Sequence, residues 1–223
     1  MAGTTLQTVT AAGRIRTVIA GDSINGNVTA GDSIIDLQTV RLSLNGEVTA
    51  GGNIYNVTVG QSVNNKVTAG GFIGNVVAAD RIIGEISAAS DIYRVQAARS
   101  ITQEVEATGG NVYVVQAADN ISGKVTAGSD LWKVLAGEDA TDSISADVTA
   151  GGVIGQVIAG GSISNRVQAG GSVDDRVPPR RQHCPNINVT NLGNTVSPKP
   201  TDHAEKTTCN DSGTVSTGAS LLE

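Results

Sequence analysis

Val148-Thr-Ala-Gly-Gly-Val-Ile-Gly-Gln156, Val157-Ile-Ala-Gly-Gly-Ser-Ile-Ser-Asn-Arg166 and Val167-Gln-Ala-Gly-Gly-Ser-Val173 are three successive versions of one phrase. The shared pattern is V-x-A-G-G-S-I followed by two or three polar residues, so units of nine and ten alternate with a period of 19. Working outward, nine-residue units begin at Val9, Val28, Val48, Val67, Ile86, Val105, Val125, Val148 and Val167. Ten-residue units begin at Val18, Val40, Val57, Val76, Val95, Val115, Val134 and Val157. The two lengths keep their order throughout, and a fixed period on this scale marks a stacked-repeat architecture.

Side-chain alternation gives one unit its shape. In V-x-A, positions 1 and 3 face one way and position 2 the other, as a strand requires. Ala-Gly-Gly supplies small residues and permissive backbone angles for a corner. Position 7 is apolar in every unit, from Ile15 to Val173, and polar pairs such as Asn25-Gly26 and Asn45-Gly46 turn the chain again. Each coil is therefore expected to make about four short sides with Val, Ala and Ile inside. Helix is excluded because apolar spacings of 2, 4 and 3 or 4 sustain no helical stripe, and Gly-Gly with β-branched residues opposes one.

The chain is thus expected to be all-β, a single-stranded parallel β-solenoid of about nine coils over residues 9–177. Right-handed winding follows the general preference of parallel crossovers. Residues 1–8 form an N-terminal extension. Residues 178–223 form a polar tail, linker or loose cap, because Pro178 and Pro179 cannot donate to a ladder.

Composition agrees. Gly accounts for 28 of 223 residues and aromatics for 2%, so the interior must be lined by Val, Ile and Ala. A net charge of −6 argues against a nucleic-acid partner, and no apolar run is long enough to span a bilayer as a helix. Met1 to Thr8 lacks the basic start and apolar stretch of a signal peptide, which keeps a cytoplasmic location open beside an exported, larger chain.

The V-x-A-G-G-x-I units resemble β-solenoid stretches of large bacterial surface and secreted proteins, of the filamentous-haemagglutinin-like and planctomycete types. A weaker similarity is to bactofilins, which are β-helices that polymerise end to end. The resemblance is one of repeat style; it implies architecture and a surface role and brings no site residues with it.

A solenoid displays its outward residues as columns. Position 2 of the nine-residue units reads Thr10, Thr29, Thr49, Thr68, Ser87, Glu106, Thr126, Thr149 and Gln168. A threonine ladder of this kind could match ice, but it is a single column broken by Glu106, and exposed Thr is also simply a good strand former. Position 2 of the ten-residue units reads Ile19, Arg41, Thr58, Val77, Gln96, Gln116, Leu135 and Ile158. Position 8 of the nine-residue units holds Tyr55, Gly74, Tyr93, Tyr113 and Trp132 in five consecutive coils, beside Arg94 and Lys133. These residues form the candidate contact surface for a glycan or a cell-surface protein; a self-stacking ladder that stiffens the rod and packing of the C-terminal tail are the competing accounts.

No catalytic or metal-binding constellation is expected, and no cofactor. The unit at Val134 is four residues too long, and its acids Glu138, Asp139 and Asp142 could hold a cation or form an ordinary solvated loop. Cys184 and Cys209, the only cysteines, admit a disulfide, free thiols or a metal site with His183 and His203. The functional expectation is a non-enzymatic structural or adhesive segment of a surface or secreted protein. The alternatives are a scaffold that self-associates through its ends and, less favoured, a carbohydrate-active enzyme or an ice-binding protein.

Overall fold

The computed structural model describes residues 4–171, and the tail with both cysteines lies outside them. Nine three-residue strands form one parallel sheet: β1 (Val9–Ala11), β3 (Val28–Ala30), β5 (Val48–Ala50), β7 (Val67–Ala69), β9 (Ile86–Ala88), β11 (Val105–Ala107), β13 (Val125–Ala127), β15 (Val148–Ala150) and β17 (Val167–Ala169). Eight longer strands form a second: β2 (Ile15–Ala20), β4 (Ile34–Thr39), β6 (Ile54–Val59), β8 (Ile73–Ala78), β10 (Ile92–Ala97), β12 (Val112–Ala117), β14 (Leu131–Leu135) and β16 (Ile154–Ile158). Both sheets are in strict repeat order, with Ile86 between Val67 and Val105, and Ile92 between Ile73 and Val112. The chain is an all-β parallel solenoid with eight complete turns among the described residues and a ninth begun.

Each coil has three sides rather than four. In a nine-residue unit two residues separate position 7 from the next valine, as in Ile92-Tyr93-Arg94-Val95, and two residues leave no room for a turn. The strand runs straight through, and both middle residues face solvent. A ten-residue unit has a third residue, as in Ile24-Asn25-Gly26-Asn27-Val28, and there the chain does turn. Its position-7 residue forms the third side alone, through single bridges linking Leu6, Ile24, Leu44, Val63, Ile82, Ile101, Ile121, Ile144 and Ile163.

The interior is one continuous aliphatic core, every coil giving valine, alanine and isoleucine or leucine to it. Fully burying one such branched side chain is worth about 1.5–3 kcal/mol. The corner glycines serve this packing by close approach rather than by special angles: Gly51, Gly70 and Gly151 are not left-handed. A Cβ on them would stand 2.4, 2.3 and 2.1 Å from the carbonyl oxygen of the preceding coil.

One register differs from the sequence expectation. The unit assigned to Val40 begins at Leu37, which is fully buried and pairs with Val18 and Val57. Gln38, not Arg41, therefore belongs to the Ile19–Thr58 column, and the extra residue enlarges the next corner. Thr39 occupies the place of the corner alanine, and its hydroxyl donates to Leu42 O at 2.7 Å across the enlarged turn.

Candidate functional site

Tyr55, Tyr93, Tyr113 and Trp132 are each the second residue of a long strand, namely β6, β10, β12 and β14. The register of these strands stacks them on one outward line. Tyr93 and Tyr113 are parallel within 2° with centroids 4.9 Å apart. Parallel rings at that distance lie face to face, so each turns one of the two faces a sugar could cover onto the other.

Phe72 was missing from the sequence expectation. It sits two residues before Gly74 and swings its ring into the gap that the glycine leaves. It meets Tyr55 at 5.0 Å and Tyr93 at 5.8 Å, edge to face in both cases. The signal was present in the sequence, since the chain's one phenylalanine flanks the one glycine within the aromatic run. The ring contacts thus run unbroken from Tyr55 to Tyr113. Trp132 follows one coil later, 53% exposed and without a ring-to-ring contact among the described residues.

Of the two cations beside the column, Arg94 donates from Nη2 to Gln96 Oε1 on its own strand. Lys133 stands in register with Val114 and Gln156. Asn75 Nδ2 donates to Asn56 Oδ1 at 2.9 Å in the same row, so this face carries an aromatic line beside a line of polar groups.

The corners hold most of the remaining polar side chains, and these bond from coil to coil. At position 6 of the nine-residue units, Asn53 N donates to Ser33 Oγ at 3.1 Å and Phe72 N to Asn53 Oδ1 at 2.9 Å. The ladder resumes with Asn111 N to Asp91 Oδ1 at 2.7 Å, Asp130 N to Asn111 Oδ1 at 2.9 Å and Val153 N to Asp130 Oδ1 at 2.8 Å. Asn64 donates to Asn45, and Asn45 to Asn25, each at 2.7 Å.

Ion pairs also join successive coils. Lys66 meets Glu85 at 2.8 Å, Lys124 meets Glu104 at 3.2 Å and Arg166 meets Asp147 at 3.5 Å. Arg99 lies between Asp80 and Asp119. The hydrogen bond to Glu85 raises the Lys66 pKa above the usual lysine value; desolvation opposes it, and the charges of Glu85, Glu47 and Glu106 add to the rise.

The long loop forms where the extra residues fall, but its acids do not converge. Asp142 is buried and accepts from Asp139 N at 2.9 Å, closing the loop on itself, while Glu138 and Asp139 face solvent. Among the described residues no three His, Cys, Asp or Glu side chains are grouped to hold a metal. The threonine column forms as expected, with Thr149 Oγ1 donating to Thr126 Oγ1 at 3.4 Å, Glu106 in line, and Thr68 Oγ1 buried without a partner. No helix among the described residues is long and apolar enough to cross a membrane. Cys184 and Cys209 lie outside the described residues. Comparison with protein-family models, curated proteins and solved structures found no match to the chain.

Proposed function

We propose that the chain is a non-enzymatic structural or adhesive segment, a stiff spacer belonging to a bacterial surface or secreted protein. The observation that carries this reading is where the hydrogen-bonding side chains go. Serine, asparagine and aspartate at the corners are spent on the main chain of the adjoining coil, as in the run from Asp91 through Asn111 and Asp130 to Val153. Such ladders hold each coil to the next and resist bending. The stacked tyrosines add to the same stiffness, and the likeness of the repeat to surface solenoids supports the location.

Small-angle scattering of the purified chain tests the spacer. At about 4.8 Å per coil the described part should be a rod of about 40 Å, independent of protein concentration. Growth into filaments with concentration would favour end-to-end assembly instead. Release of sugar fragments from a polysaccharide substrate would replace the reading with an enzymatic one. Labelling of intact source cells with a membrane-impermeant amine reagent tests the location, since a surface segment must be labelled.

A further inference from the structure

Glycine takes the aromatic place twice, once within the line and once at its end, and the two positions are built alike. Gly74 and Gly155 occupy the same place in Gly71-Phe72-Ile73-Gly74-Asn75 and Gly152-Val153-Ile154-Gly155-Gln156. Each presses its backbone on the aromatic residue one coil earlier. A Cβ on Gly74 would stand 2.3 Å from Tyr55 O, and one on Gly155 would stand 2.6 Å from Trp132 O.

What fills the space differs. Over Gly74 the missing ring comes from the side, where Phe72 packs edge to face on Tyr55. Over Gly155 the equivalent residue is Val153, too short to cover an indole and itself 37% exposed. Trp132 is 53% exposed, against 39% for Tyr55 and 45% for Tyr93, which both touch Phe72. Among the described residues no ring packs on Trp132, which leaves a notch with Trp132 on one side, Gly155 as its floor and Val153 at its edge. One Phe, three Tyr and one Trp are all the aromatics the chain has, and all five already stand in the solenoid. No phenylalanine, tyrosine or tryptophan of the chain is left over to fill this notch.

The surroundings indicate which ring. Lys133 and Gln156 lie side by side on the two strands that form the notch. Asp130 borders the other side, its Oδ1 held by Val153 N. An exposed indole face rimmed by an ammonium, an amide and a carboxylate suits a ligand with an apolar C–H face and polar hydroxyl edges. We propose that the notch over Gly155 binds a pyranose ring of a glycan, stacked on Trp132. The proposal rests on the adhesive form of the reading above and moves the contact from the tyrosines, each of which already packs on another ring, to Trp132 at the open end of the line.

The chain's single tryptophan lies in the notch, so its fluorescence reports the site directly. The intact 223-residue chain is applied to a printed array of pyranose glycans, and retained glycans are titrated in solution against the tryptophan emission. Retention of at least one glycan, with a saturable change in emission, is the expected result. Val153→Phe, which supplies the side chain used over Gly74, should weaken binding by about tenfold or more with the circular dichroism spectrum unchanged. Trp132→Ala should abolish retention on the array, and Tyr93→Ala should leave it intact. The proposal is overturned if no glycan is retained, if Val153→Phe binds like the unaltered chain, or if N-acetylphenylalaninamide changes the emission where glycans do not. The last result would assign the notch to a protein's aromatic side chain. None of these failures touches the spacer, which stands or falls on scattering and on polysaccharide cleavage.

Discussion

Replacing Ile101 by alanine deletes three carbons from a side chain with no exposed surface, midway along the third side between Ile82 and Ile121. At about 0.8 kcal/mol per buried CH2, the transfer loss alone is about 2.4 kcal/mol. The coils on either side cannot close the gap cheaply. Ile101 N is bonded to Asn120 O and Thr102 N to Ile82 O, each at 3.0 Å, so the walls are pinned by main chain. A cavity contribution therefore adds, bringing the total to about 3–4 kcal/mol. Ile101→Val should cost only about 1 kcal/mol, since Val63 fills the same column fully buried. The alanine substitution at Ile163, which is partly exposed near the last described coil, should cost about 1–2 kcal/mol. Guanidinium denaturation followed by circular dichroism measures all three. Hydrogen exchange should show the Ile101→Ala loosening confined mainly to the neighbouring coils, as nearest-neighbour stacking requires. Equal costs at Ile101 and Ile163, or a cost at Ile101 below about 1 kcal/mol, would refute the closed aliphatic interior on which the argument depends.

Asn111→Ala strips Asp130 N of its side-chain acceptor and should cost about 1–3 kcal/mol, while Asn111→Ser, the residue type Ser33 uses in the same column, should cost less; denaturation and amide exchange at Asp130 distinguish them. Phe72→Ala removes two edge-to-face contacts, worth about 1–3 kcal/mol together, and opens over Gly74 a second notch like the one over Gly155. Its thermal midpoint should fall, and its glycan stoichiometry should rise from one site to two by calorimetry. The folded Lys66 pKa is raised, so its ion pair supports the fold fully below the ordinary lysine pKa and loses that support as pH climbs through the folded value. Glu85→Gln should bring the Lys66 titration back toward the ordinary lysine value by NMR, with little change in stability because the side chain is 40% exposed.

The stacking was legible in the sequence because V-x-A repeats with its alternation intact and every position 7 is apolar. The number of sides was less legible. It depends on whether two or three residues separate an isoleucine from the next valine, and composition alone does not reveal that two are too few to turn. Val40 misled for a related reason, since valine looks like the start of a unit whereas Leu37 has the correct distance from Ile34. The aromatic line could be read from spacing, whereas Phe72 was signalled only by its place beside Gly74, because a ring entering from position 6 is a matter of side-chain reach rather than period. The corner glycines read as supplying both small size and permissive angles, and at Gly51, Gly70 and Gly151 only the size is used. Their use is to let main chain approach main chain, which becomes visible once the coils are stacked.

In a molecule of this kind the regular columns hold the stack and the interruptions in them are where a ligand could gain a foothold. A side chain repeated at every coil has its neighbours above and below as partners, as Tyr93 has in Tyr113 and Asn45 in Asn25 and Asn64. Such a group can offer an incoming molecule only the edge its neighbours leave. A position where the column fails has an unmatched face on the previous coil. Gly74 and Gly155 are two such failures in one line, and they differ at position 6 by a single side chain, phenylalanine in one and valine in the other. That pair gives the comparison its force, since the chain itself shows how such a gap is closed when closure is what the structure needs. If Val153→Phe stabilises the rod while removing glycan retention, the open notch is kept at a cost in packing. If it does neither, the gap is a tolerated irregularity and the stiffness of the ladder is the main property this surface contributes.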